Sequence, residues 1–296
     1  MSSDDLLPPL PQLDPGVPIG SVQSAFEWYR HVALLAIRAM QISPDSPAYR
    51  RAGGPQDAAL RGLLNRCARL MAATLRLVSN GKHGEAAQIL LRCIVESAVT
   101  GSWLIIKRRE DSFRRYFAAA LRTELVVSEA IERNIADRGG EAWVIEARML
   151  KYRDDLFRLT GIARSEVGAC KGLPDFRQRL KDVGFDDQAY TFLQQMGSQA
   201  VHGTWSDLVD HYLETKTDPI EFGTRNNDLG PQVPHFTTVA LHVCRFTFHV
   251  VRYMLSPCPE RTLFLSRLRL VERKTLAVAR ADRPDDFQPP ASEAPD

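Results

Sequence analysis

The chain has 296 residues, of which 44% are hydrophobic and 25% charged, and its formal net charge is +2 at pH 7. That is enough apolar material for a full buried core, in one large domain or two small ones, which excludes a disordered chain. The charge is uneven: the two ends are acidic, and the body between Gly20 and Arg280 carries about +9, a balance that favours anionic partners such as nucleic acid.

Arginine outnumbers lysine 31 to 7, a bias in genomic composition more readily than a sign of phosphate recognition. The five cysteines, Cys67, Cys93, Cys170, Cys244 and Cys258, are scattered with no C-x-x-C, the pattern of buried free thiols in a reducing compartment. No basic-then-apolar leader opens the sequence, and a soluble cytoplasmic protein is expected.

Taken in order, residues 1–20 hold five prolines and are expected to form a flexible tail, with residues 21–280 as one helical domain and 281–296 as a second, acidic tail. A helix starts at the N-cap candidate Ser21 and runs through Trp28, Val32 and Leu35 to about Ile42. Pro55 opens the next, with Leu60, Leu63, Leu64, Cys67 and Met71 at helical spacing, and Asn80-Gly81 ends it in a turn.

The stretch Glu85 to Arg108 follows at once, so the two helices should form an antiparallel hairpin. It is apolar all round except for a thin line of Glu85, Gln88, Arg92, Glu96 and Thr100. Arg92 and Glu96, four residues apart, share a face and can pair. Those two charges near the middle make a membrane span costly, and no membrane partner is expected.

Downstream, helices are expected from Asp111 or Ser112 to Arg138, from Glu141 to Thr160, over DFRQRLKD inside an irregular 161–185, and from Asp186 to about Ser198. Thr204-x-x-Asp207 reads as a capping box opening a helix to about Glu214. A loop with a short strand at Ile220 to Phe222 precedes two strong helices, Pro234 to Leu255 and Pro259 to about Arg280. The fold class is therefore all-α, a single bundle of nine or ten helices.

Three polar groups are candidate sites. The first is the Arg92/Glu96 pair. The second is His202 in SQAVHGTW, placed ahead of a helix start, where the positive end of the dipole favours a neutral ring able to accept a proton. The third is a stripe on the Pro234 helix, His235, Thr238, His242, Arg245, His249 and Arg252, either a solvated polar face or the other wall of a basic pocket shared with Arg92, Glu96 and His202.

His235, His242 and His249 are each about 10 Å from the next along the helix and cannot share one metal. Glu-x-x-His and His-Glu-x-x-His are absent, and Asp207, Asp210 and His211 read as capping chemistry more readily than as ligands. No metal and no cofactor are expected. The last helix sets Arg261, Arg267, Arg269, Arg273, Lys274 and Arg280 among leucines, an amphipathic surface for solvent, nucleic acid or a second copy.

The R-x-x-x-E spacing of Arg92 and Glu96, followed about a hundred residues later by Ala-Val-His202-Gly-Thr, resembles a bacterial helical family known only as a domain of unknown function, over roughly Leu60 to Leu255. More distantly it resembles the HEPN superfamily of helical bundles and its abortive-infection relatives, many of which cleave RNA without metal as dimers, using an Arg and a His. The resemblance implies a HEPN-like core, a ribonuclease of a defence or toxin type, RNA or another anionic ligand as partner, and a homodimer.

In that superfamily the two residues sit in one R-x(4–6)-H motif. The only such spacing here, Arg76 to His83, spans the Asn80-Gly81 turn, so the catalytic candidates are His202 as acid or base, Arg92 on the phosphorane and Glu96 orienting Arg92. His242, Arg245, His249 and Arg252 are the binding candidates. The alternative is a non-catalytic binding or scaffold protein whose stripes hold the core in register or bind a small anion.

Overall fold

The computed structural model describes residues 7–42, 46, 48–50, 54–107, 110–202, 204–217, 220–225 and 229–282, with the side chains of 110, 194–200, 210, 211, 215 and 217 outside that description. The acidic tail from 283 onward, Gly203 and most of the 43–53 loop also lie outside it. The described chain is an all-α, multi-helix bundle with one two-stranded hairpin.

Ser21 caps α1 (Val22–Met40), its hydroxyl accepting from the Ser24 amide at 3.2 Å. Pro55 is the first residue of α2 (Pro55–Leu77), and Gly81, at φ +72°, makes the left-handed turn into α3 (Gly84–Ile106). Helices α2 and α3 pack on each other as the expected hairpin, and α3 is buried along most of its length. It is the one described helix long and apolar enough to cross a membrane, yet 61% of its most apolar window is buried in the bundle, as suits a core helix.

Beyond α3 come α4 (Glu110–Asp137), α5 (Val144–Thr160), the single turn α6 (Arg164–Val167), α7 (Phe176–Asp182) and α8 (Asp187–His202). The second central helix is α10 (Val233–Met254), which packs on α1, α2, α3 and α11 (Pro259–Asp282). Tyr29, Trp103, Phe236, Phe246 and Phe264 fill the space between these helices. Where α3 crosses α10, Gly101 lets the Phe246 ring lie against the helix backbone, in space that a methyl group would occupy. A second small core of Ala118, Leu121, Phe157, Ile162 and Val167 holds α4, α5 and α6 together away from the main bundle.

Residues 7–20, placed by sequence in the N-terminal tail, lie against the bundle: Leu7 is buried and Arg267 of α11 donates to the Pro8 carbonyl at 2.6 Å. The largest departure from expectation follows His202. Thr204 does cap a helix, its hydroxyl accepting from the Asp207 amide at 3.4 Å. That helix, α9 (Trp205–Asp207), lasts one turn, widens into a π-helical turn (Leu208–Tyr212) and gives way to β1 (Leu213–Thr217), paired antiparallel with β2 (Ile220–Thr224). Glu214 is therefore in a strand. A capping box fixes where a helix starts, and the antiparallel pairing of Leu213–Thr217 with Ile220–Thr224 ends it early.

Candidate functional site

The polar line on α3 is real and half-buried. Arg92 Nε donates to Glu96 Oε1 at 3.1 Å, with the arginine side chain 24% and the glutamate 40% exposed. Arg92 Nη1 is buried with no hydrogen-bond partner among the described residues, and Glu85 Oε2 stands likewise two helical turns below. One turn above Glu96, Thr100 Oγ1 accepts from Arg179 of α7. Burial holds the Arg179 guanidinium below its ordinary range, with Glu96 and Asp175 opposing that shift.

Further up, the Trp103 indole donates to Asp182 Oδ2 at 2.8 Å, and Lys107 Nζ lies 3.3 Å from Asp182 Oδ1. Burial opposes the Asp182 charge, but hydrogen bonds from Trp103, Gln178 and Lys107 hold its carboxyl below the usual range. The stripe of α3 thus faces α7, with α8 also packed on α3, and two guanidiniums, Arg92 and Arg179, share one nearby carboxylate, Glu96.

The stripe of α10 meets a different side of α3. His242, Arg245 and His249 line a small cavity of about 20 Å³ with Ala98, Val99, Ser102 and Ile106 of α3 and Val183 and Phe185 of the turn after α7. At 100° per residue, the Ala98, Ser102 and Ile106 side of α3 is about a third of a turn from the Arg92, Glu96 and Thr100 side. Neither Arg92 nor Glu96 lines this cavity, and Arg252, exposed one turn beyond His249, does not line it either. The space is that of a single water molecule.

His242 is the centre of this second group. It is 7% exposed and stacks on Phe185 with ring centroids 4.6 Å apart. Nδ1 sits 2.8 Å from the Thr238 carbonyl, which fixes the proton on that nitrogen, while the buried Nε2 has no hydrogen-bond partner among the described residues. Burial, with Arg245 adding to it and the Thr238 carbonyl opposing, pushes the imidazole down to about 4. Burial lowers His249 too, helped by Arg252 and Arg245. Arg245 sits at the rim, its Nε 2.6 Å from Glu272 Oε1 and its guanidinium over the Phe185 ring.

His202 belongs to neither group. Helix α8 runs through it, so it is the last helical residue and is exposed, at the carbonyl end of α8. Expected from sequence just ahead of a helix start, it is instead the last residue of the preceding helix. Val201 and Trp205, at 51% and 62% exposed, lie on either side. The side chains of Asp210 and His211 lie outside the described residues, and Asp207 is buried as part of the Thr204 cap. Among the described residues no three His, Cys, Asp or Glu side chains converge as a metal site.

Sequence reading missed Arg179, Asp182 and Phe185. They sit on or just after a seven-residue helix in a glycine-rich stretch, and only tertiary packing brings them onto α3 and α10.

Fold and site together define an all-α bundle protein with a half-buried Arg/Glu seam on its central helix and a histidine cluster, centred on the buried His242, beside it. The chain belongs to the Family of unknown function (DUF5677), whose model matches residues 57–220, more than half its length, from α2 through the start of β2. No curated protein and no solved structure matches the chain.

Proposed function

We propose that this chain is a non-catalytic helical binding protein that takes a small anion, a phosphate or a carboxylate, on the seam formed by Arg92, Thr100 and Arg179. The observation that carries this reading is the Arg92 guanidinium: Glu96 engages Nε, while Nη1 is buried with no partner among the described residues. A buried guanidinium nitrogen left unpaired costs free energy that a bound oxyanion recovers. Arg179, desolvated and close to the same carboxylate, supplies the second positive charge.

Titrating inorganic phosphate against thermal unfolding tests it. Wild type should gain about 1.4 kcal/mol at ten times the dissociation constant, and Arg92→Ala should gain nothing. Equal shifts in both proteins, or none in wild type, would sink this reading.

One observation favours a second reading, the HEPN-like ribonuclease. Helix α8, which ends in His202, packs on α3, which carries Arg92, so an exposed imidazole and a half-buried guanidinium belong to adjoining helices. On this reading His202 is acid or base, Arg92 stabilises the phosphorane and Glu96 orients Arg92. RNA cleavage in chelator that is lost in folded His202→Ala would establish it, and intact RNA with wild type would remove it. On either reading the scattered free cysteines support a cytoplasmic setting.

A further inference from the structure

The segment ahead of α1 crosses the bundle as a stiff arm. Leu7-Pro8-Pro9-Leu10-Pro11 carries three prolines, whose rings fix the backbone, hold the residue before each extended, and remove the amide protons that would bind a neighbouring helix. The arm is fastened on both sides. Leu7 is buried and Arg267 of α11 donates to the Pro8 carbonyl at 2.6 Å, while Ser24 Oγ of α1 donates to the Pro18 carbonyl at 2.9 Å.

Between these anchors the arm stands off α1 and leaves a cavity of about 360 Å³, the size of a small-molecule site. Pro8, Pro9, Leu10 and Pro11, with Gln12, make one wall. Glu27, Arg30, His31 and Leu34 make the other, because steps of three and four residues put them on one side of α1. The walls are mostly apolar with a few polar groups among them, the composition of a ligand pocket.

Of the four polar lining side chains, only His31 is buried. It is 2% exposed, its ring meets Trp28 edge-on with centroids 6.1 Å apart, and its Nε2 is buried with no hydrogen-bond partner among the described residues. A buried ring nitrogen left unpaired is destabilising, and a ligand that pairs it removes that cost. Burial, followed by the charges of Arg267 and Arg30, pushes the imidazole down to about 4, so the ring is neutral at pH 7.

The charges beside the cavity say what such a ligand carries. Two guanidiniums, Arg30 and Arg267, act on the His31 ring, and the carboxylate lining the cavity is Glu27, 2.9 Å from Arg30. Arg267 donates to a neutral carbonyl and keeps its charge unopposed by that bond. The balance is about one positive charge, which matches a monoanion. A phosphate dianion is poorly matched to a site with Glu27 on one wall and three prolines on the other. A carboxylate is well matched: Arg30 offers it charge-assisted hydrogen bonds, and the neutral imidazole can donate from Nε2.

From this we infer that the cavity under the proline arm is a binding site for a small monocarboxylate with an apolar body, its carboxylate held by His31 and Arg30 and its body against Pro9, Leu10, Pro11 and Leu34. The arm is then one wall of the site. The site is built without any residue of the Arg92 seam, so the inference is independent of what that seam binds.

Phenylacetate, with phenylacetamide as its uncharged isostere, tests this on the full-length chain by NMR, following the His31 ring signals. Phenylacetate should shift them with a Kd below about 1 mM, and the amide should bind at least about tenfold more weakly. Arg30→Gln removes the charge and Leu34→Trp fills the cavity. Both positions are exposed, the Arg30 side chain at 56% and Leu34 at 41%, so both variants should keep the helix content of wild type by circular dichroism. Each should weaken phenylacetate by roughly tenfold.

No shift of the His31 signals at about 10 mM phenylacetate would overturn the inference, as would equal affinity for the amide or unchanged affinity in both variants. Inorganic phosphate, the probe for the Arg92 seam, should leave phenylacetate binding unchanged. Displacement by phosphate would assign the carboxylate to the seam and overturn the inference as well.

Discussion

Lowering the pH should unfold this protein through His242. The ring is buried in the folded state with a pKa of about 4, against 6.5 when exposed in the unfolded chain. Between those values the unfolded state binds a proton that the folded state does not, so stability present above pH 6.5 is lost as the pH falls towards 4.

At 1.36 kcal/mol per unit, the difference amounts to about 3 kcal/mol by pH 4, a large part of a domain's net stability. Urea unfolding of wild type and His242→Phe at intervals from pH 7 to pH 4 measures it. The phenyl ring keeps the stack on Phe185 and has nothing to protonate, so carboxylate titration, common to both proteins, cancels in the difference. Wild type should lose about 3 kcal/mol more than the variant across that window. Parallel pH profiles would refute the burial of a neutral ring at this position.

Three substitutions test the packing around α3. Gly101→Ala drives a methyl group into the Phe246 ring and should cost about 1–3 kcal/mol in urea unfolding, recovered in part by adding Phe246→Leu; a neutral result would mean the helices are not in close contact there. Asp182→Ala leaves the buried Trp103 indole without its acceptor and should cost about 1–3 kcal/mol, with Asp182→Asn intermediate. Glu96→Ala breaks a pair that solvent reaches on both sides and should cost only about 1 kcal/mol, where a fully buried pair would cost about 3–5; a loss in the higher range would show that the seam is closed in solution.

The exposed apolar stripe on α5, Ile145, Met149, Tyr152 and Leu159, went unread in the sequence for a physical reason. A run of apolar residues at steps of three and four looks the same whether it faces a core or solvent, and α5 carries both kinds of position within a quarter of a turn. The same ambiguity affects the stripe of α10, whose alternation of His and Arg fits a solvated face. His242 is instead sealed against α3 and Phe185, while Arg245 and Arg252 reach water.

What the sequence determined alone is the local grammar: the Ser21 cap, the proline starts at Pro55 and Pro259, the Asn80-Gly81 turn, and the pairing of Arg92 with Glu96 one helical turn on. These rest on neighbours within four residues, where chain geometry leaves few alternatives. Tertiary structure decided which face of each helix is buried, and with it that the two polar stripes meet different sides of the central helix. It also brought Arg179 and Asp182 from a short distant helix onto that seam and left His202 exposed at a helix end. Such placements depend on contacts between residues as many as 79 positions apart, which no local pattern encodes.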